Sequence, residues 1–203
     1  MSYSNMKKLY LLMCLLFFGY LAVSQTSKSS LESINSTRID KTKTGMLILG
    51  GWAIGNMLTS PLLASRASGS AKYFHQMNGY WNIINLGIAG FGYYGLLRQD
   101  PSALSLAQSI AEQQKIENML LFNTGLDVAY VIGGLYMYER AKNVSKNADR
   151  LKGFGQSVML QGGFLLVFDL IFYLTMNKHG KLIDGLIDNI QLTGNSISLI
   201  FKL

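Results

Sequence analysis

The chain has 203 residues, 49% of them hydrophobic and only 14% charged, with a formal net charge of +7. A soluble domain carries about a quarter charged residues, and here the missing charges are missing in blocks, with long apolar stretches between short basic loops. The densest basic group, Arg140, Lys142, Lys146, Arg150 and Lys152, flanks apolar segments, a placement that suits anionic lipid and orientation in a bilayer rather than nucleic acid.

In chain order, residues 1–24 have the three parts of an export signal: Lys7 and Lys8, an apolar run from Leu9 to Val23, and Ala22-Val23-Ser24 as a small-x-small cleavage site before Gln25. An uncleaved signal anchor would leave the same downstream topology. Cys14, the sole cysteine, lies inside this segment, so the mature chain has no disulfide, thiol nucleophile or thiolate metal ligand. Met13, where a small residue is needed, speaks against a lipoprotein signal. Residues 25–44, rich in Ser, Thr and Lys and without an apolar period, predict an exposed polar tether.

Four apolar segments follow, at about 45–64, 79–97, 117–138 and 154–176, and none contains Lys or Arg. Each has about twenty residues, the length needed to cross a ~30 Å hydrocarbon layer at ~1.5 Å per residue. A soluble bundle would show a polar stripe on each helix. The fold class expected is therefore all-α, a polytopic membrane protein with four transmembrane helices in a bundle (45–177). The mature N-terminus is expected in the periplasm and loops 65–78 and 140–153 in the cytoplasm, the latter being the most basic. Asp100-Pro101 predicts a helix start near Ser102. Residues 178–203 read as an amphipathic periplasmic tail: Ile183, Leu186, Ile187 and Ile190 share a helical face opposite Asp184 and Asp188. Alternating Ile197, Leu199, Phe201 and Leu203 then suggest a short strand or hairpin. A spacing of 74 residues relates Gly51 to Gly125, Arg66-Ala67 to Arg140-Ala141, Lys72 to Lys146 and Gly79-Tyr80 to Gly153-Phe154, the mark of a two-helix repeat.

The residues able to carry chemistry are polar side chains inside the spans: Asn56; Asn82 and Asn85; Asn123, Asp127 and Tyr130; Gln161, Asp169 and Tyr173. Asn123, Asp127, Tyr130 and Gly134 share one helical face. Gly125, Ala129 and Gly133 form a small-residue ridge on another, and Gly51 with Gly55 repeats the device. Depth counting pairs Asn56 with Asp127, Asn123 with Asp169 and Asn85 with Gln161. An intramembrane carboxyl costs about 2.5–3.5 kcal/mol at the bilayer centre and faces a bundle interior or water. No base lies at that depth, so Asp127 and Asp169 are expected to be protonated, hydrogen-bonded or cation-bound. The competing explanation is structural, polar groups that hold helices in register.

Other motifs yield no site. His75 and His179 fall on opposite sides of the membrane by this topology and cannot share a haem. Gly90-Phe91-Gly92-Tyr93-Tyr94-Gly95 fits a dinucleotide pattern but lies inside an apolar helix, without the preceding strand that pattern requires. No metal or cofactor is expected, nor an enzyme, since paired acid–base groups are missing.

Lys72-Tyr-Phe-His-Gln-Met-Asn-Gly79, Asn123-Thr-Gly-Leu-Asp-Val-Ala-Tyr130 and Gln161-Gly-Gly-Phe-Leu-Leu-Val-Phe-Asp169 resemble an uncharacterised group of small Bacteroidota membrane proteins. The resemblance covers about 45–178 and implies a four-helix domain in a bacterial inner membrane; it carries no catalytic residues. Two functions fit these observations. The first is a non-enzymatic scaffold or accessory protein in the lipid bilayer, with a protein partner at loop 140–153 or tail 178–203. The alternative is a small transporter or proton/cation-coupled carrier using Asp127 and Asp169, with Asn56, Asn123 and Gln161 completing the site.

Overall fold

The computed structural model describes the backbone of residues 3–188, 191–193 and 196–198, and side chains for residues 30–183 and 185. Four helices make up the fold: α1 (Tyr3–Arg66), α2 (Gly69–Leu97), α3 (Leu106–Arg140) and α4 (Ala148–Asp188). A three-residue antiparallel pair, β1 (Gln191–Thr193) with β2 (Ser196–Ser198), follows. The hairpin expected after the last helix is thus present; Leu199, Phe201 and Leu203 lie outside the described residues. The amphipathic tail is not a separate helix, because α4 runs unbroken from the fourth apolar segment to Asp188.

Three helical stretches are long and apolar enough to cross a membrane: Ser30–Arg66, Leu106–Asn143 and Ala148–Ile183. In α2, Asn78, Asn82 and Asn85 and five glycines from Gly79 to Gly95 lower the hydropathy, although its outer face carries Ile83, Ile84, Ile88 and Phe91. The inside-out distribution of side chains is the physical signature. Phe91 is 82% exposed and Leu58 68%, whereas Asn82 and Gln161 are fully buried. Water would reverse that arrangement; hydrocarbon favours it.

The predicted tether is corrected most. Residues 25–44 are helical throughout, and Asn35, Arg38 and Ile39 are buried. No helix breaker interrupts the segment. Thr37, Thr42 and Thr44 return their hydroxyl hydrogens to backbone carbonyls four residues back, and Asp40 pairs with Lys43 one turn on. The buried positions 35, 38–39, 45, 49 and 53 keep a helical period. Asn, Arg and Gly hold several of them, so the period is invisible to a search for apolar residues.

The third helix starts at Leu106, four residues later than Asp100-Pro101 suggested. Asp100 instead accepts from the Ser102 backbone N–H (2.9 Å) and hydroxyl (2.7 Å), closing a turn. These bonds hold its carboxyl below the ordinary aspartate range. The helix is capped by Ser105 and Gln108 in a reciprocal capping box. The basic loop shrinks too. Ala141–Asn143 is one 3₁₀ turn and α4 begins at Ala148, while Lys142 pairs with Glu139 at 2.7 Å and Arg150 covers the Phe154 ring. Arg66 and Arg140, 74 residues apart, each end a helix.

Helix packing is set by glycines, but not by the ridge that spacing suggested. A Cβ on Gly125, Gly133, Gly51 or Gly55 would meet nothing within 4 Å. The close contacts with backbone are made by Gly134 and Gly155, which face each other between α3 and α4, by Gly162 against Tyr130 and Val131, and by Gly153 against the first turns of α2. All lie at or towards the end of the bundle that holds Arg66 and Arg140.

Gly155→Ala would place a methyl 2.6 Å from the Gly134 carbonyl oxygen and 2.8 Å from the Tyr138 nitrogen. Such overpacking costs about 1–3 kcal/mol, and the melting temperature is expected to fall by roughly 2–4 °C per kcal/mol. Gly133→Ala, in open space, should be neutral or slightly stabilising. Thermal unfolding of both variants in one detergent checks the pair; equal losses would place the tight contact elsewhere.

Candidate functional site

The polar seam expected from the sequence divides into two unlike halves. One half is a closed amide network joining α1, α2 and α4. Asn78 Nδ2 donates to Asn56 Oδ1 at 2.6 Å and to Ser60 Oγ at 3.1 Å, and Asn78 Oδ1 accepts from Gln161 Nε2. Gln161 Oε1 in turn accepts from Trp52 Nε1 at 3.0 Å. Asn82 donates to the Asn78 carbonyl at 2.7 Å, and Asn85 to Asn82 Oδ1 at 3.4 Å. Trp52 lies flat on Phe164, ring centroids 3.9 Å apart, and seals one flank. Asn78, Asn82, Asn85 and Gln161 are all buried, and both side-chain polar atoms of Asn78 and of Gln161 are engaged.

The other half is open. Asp127 and Asp169, 2% and 6% exposed, approach within hydrogen-bonding reach of each other. Two carboxyl groups can bond only with a proton between them. Asp127 Oδ2 has no partner. Both line a cavity of about 450 Å³, with Asn85, Asn123 and Tyr130 on its wall. That volume is far above the ~10–15 Å³ one water needs and within the range of small-molecule sites. Trp81 stands edge-on to Tyr130 across it, centroids 4.9 Å apart. Among the lining residues no Lys, Arg, His or Glu occurs.

Two of the three pairs drawn from depth are therefore corrected. Asp127 meets Asp169 rather than Asn56, and Gln161 meets Asn78 and Trp52 rather than Asn85. Asn123 shares the cavity with Asp169. Counting residues from span ends fails because helix rotation, not depth alone, decides which side chains meet. Asn56 and Gln161 leave the candidate site for the closed network, while Asp127, Asp169, Asn123, Asn85 and Tyr130 stay together.

Sequence reasoning missed Asn78, Ser60 and Trp52, which complete the network. Asn78 fell one residue outside the assigned span, and a serine or tryptophan gives no polar signal in an apolar run. A second polar group at the Asp100 end was missed with the tether. Asn35 donates to Ser109 Oγ at 2.9 Å and to the Pro101 carbonyl at 3.2 Å. Gln113 donates to the Met176 carbonyl at 2.7 Å, and His179 Nε2 donates to the Ile34 carbonyl at 3.0 Å. Arg38 is buried beside them with Glu112 as its opposing charge. His179 thus binds α1 to α4. His75 lies near the other end of the bundle, beside Phe74.

A model of a family of unknown function, DUF6992, matches residues 48–170. The chain belongs to that family. Comparison with curated proteins and with solved structures returns no match. The DUF6992 region takes in the amide network, both aspartates, and the motifs Lys72–Gly79, Asn123–Tyr130 and Gln161–Asp169. It stops short of Asn35, Arg38 and His179. The network and both aspartates thus lie in the family region, as does the cavity lining except Thr42, Met46 and Phe172, and in the polar group at the Asp100 end His179 joins segments on either side of it.

Gln161→Leu would leave Asn78 Oδ1 and Trp52 Nε1 without partners inside the bundle. Interhelical hydrogen bonds in membrane proteins average about 0.6 kcal/mol and reach about 1.7, so this variant, losing two, should unfold about 1–3 kcal/mol more easily in a denaturant titration. An unchanged midpoint would remove the network from the forces holding α1, α2 and α4.

Proposed function

We propose that the protein is a small proton- or cation-coupled carrier, non-enzymatic, in which the Asp127–Asp169 pair is the exchanging group. The observation that carries this reading is the cavity beside the pair. Structural hydrogen bonds need no void; of the amide network's residues only Asn85 reaches this one, whereas both carboxyls open onto its volume of about 450 Å³. Asn123 and Asn85 supply neutral polar groups around an exchanging cation or proton. We place the chain as a four-span protein of a bacterial inner membrane, of the Bacteroidota type, with its signal removed after Ser24 and its mature N-terminus in the periplasm. The basic residues at 140–152 support this orientation. The scaffold reading keeps one favouring feature, the amide network around Asn78, which is what a purely structural seam requires.

Reconstituted wild-type protein should move protons against an imposed potential or cation gradient, read with a pH-sensitive dye inside the vesicles. Asp127→Asn, alone and with Asp169→Asn, keeps shape and hydrogen bonding while removing titration. Flux should fall at least tenfold with little change in melting temperature. If wild type and variants are equally inert and equally stable, the carrier reading falls and the scaffold reading takes its place. Intact-mass measurement of membrane-extracted protein should show Gln25 as the first residue; a chain still starting at Met1 would mean an uncleaved anchor.

A further inference from the structure

The cavity that holds the carboxyl pair has a mouth, and the mouth opens sideways. α2 and α3 both pack against α4 but make few contacts with each other, Trp81 against Tyr130 being one. Three of the residues that line the cavity from these two helices are also strongly exposed: Ile84 at 64% and Ile88 at 56% on α2, Met119 at 53% on α3. A side chain that both lines a cavity and faces outward marks a rim. All three rim residues are apolar and lie on the hydrocarbon-facing surface, so the entrance is from the bilayer. Towards the Arg66/Arg140 end, the amide network and the Gly134–Gly155 contact close the bundle.

The interior is chemically one-sided. Its ionisable groups are Asp127 and Asp169, with Tyr130 beside them and no basic residue on the wall. Asp127 Oδ2 is buried and accepts from no N–H or O–H of another residue, so the proton shared with Asp169 or a cation has to satisfy it. Trp81, Tyr130, Phe168 and Phe172 line the same cavity, and aromatic faces attract cations as well as apolar bodies.

We infer that the cavity takes a lipophilic organic cation, an apolar body carrying one positive charge, which enters from the bilayer between α2 and α3 and seats its charge on Asp127 and Asp169. This rests on the carrier reading of the same site and names the substrate class. Charge balances simply. The cation takes the place of the proton held between the two carboxyls, and one proton leaves to water for each cation bound.

The test uses the full chain in lipid nanodiscs and two probes of one shape, tetraphenylphosphonium and tetraphenylborate. Tetraphenylphosphonium should bind saturably at one site, weaken at least tenfold as pH is lowered, and release about one proton per cation in weak buffer. The isosteric anion should show no saturable site. Asp127→Asn with Asp169→Asn should weaken cation binding at least tenfold, and the single Asp169→Asn variant provides the same reading should the double one fail to fold. Ile88→Trp, at the rim, should slow association severalfold and leave affinity nearly unchanged. Equal binding of cation and anion, cation binding unmoved by the Asn variants, or binding without proton release would each overturn the inference. Absence of tetraphenylphosphonium binding alongside aspartate-dependent proton flux would overturn the substrate class and leave the carrier standing. Binding as described without any flux would remove the carrier and keep the site.

Discussion

Inside a helix bundle a buried amide has no water to turn to, so Asn or Gln there either finds partners on neighbouring helices or opposes the fold. Asn78 meets this constraint by bonding Asn56, Ser60 and Gln161 together. Leaving such a group unmade costs about 1–3 kcal/mol in protein measurements. Three helices therefore have to arrive at one level and in one rotation for Asn78 to be satisfied. Trp52, on its Phe164 platform, adds a fourth anchor to the same point. The register of α1 against α2, and of both against α4, depends on this node.

With that end fixed, side-chain size sets the spacing elsewhere. Gly134, Gly155 and Gly162 let α3 and α4 touch backbone to backbone. Further along the same pair, Leu120, Phe172 and Met176 form the buried apolar cluster, with Ile116, Phe168 and Tyr173 against it. Bulky residues replace glycines there, and α3 has no amide node tying it to α2. The cavity forms on that side, bounded by α3 but outside its tight seam with α4. It follows from where the small residues stop.

How much of this was legible beforehand differs by element. The apolar segments were plain because length and the absence of Lys and Arg are strong signals, and the helices of the structure contain each of them. Helix ends were readable only where the right chemistry was weighed: Asp100-Pro101 looked like a cap, but Ser105 and Gln108 supply the reciprocal pair that starts α3. Residues 30–44 defeated the hydropathy argument because their buried positions are Asn35 and Arg38 as well as Ile39. The glycine ridge failed for a related reason. Spacing puts Gly125 and Gly133 on one face, yet only the neighbours decide whether that face is the contact, and Gly134, one residue on, was the one that mattered. Asp127 and Asp169 were legible as carboxyls inside apolar segments, but their approach to each other depends on helix rotation, which no single helix encodes.

The separation of amides from acids bears on function. Amides cannot titrate, so a network of Asn and Gln holds the same geometry whatever the proton or ion gradient does; it suits a fixed joint. A carboxyl pair exists in more than one charge state, and each state prefers different surroundings. Had Asp127 or Asp169 occupied the position of Gln161, every change of protonation would have loosened α1, α2 and α4 together. The chain instead keeps this carboxyl pair on α3 and α4, which glycine contacts with backbone hold together nearby, and lets it face the open volume. Charge can then change in the cavity while the joint around Asn78 stays as it is.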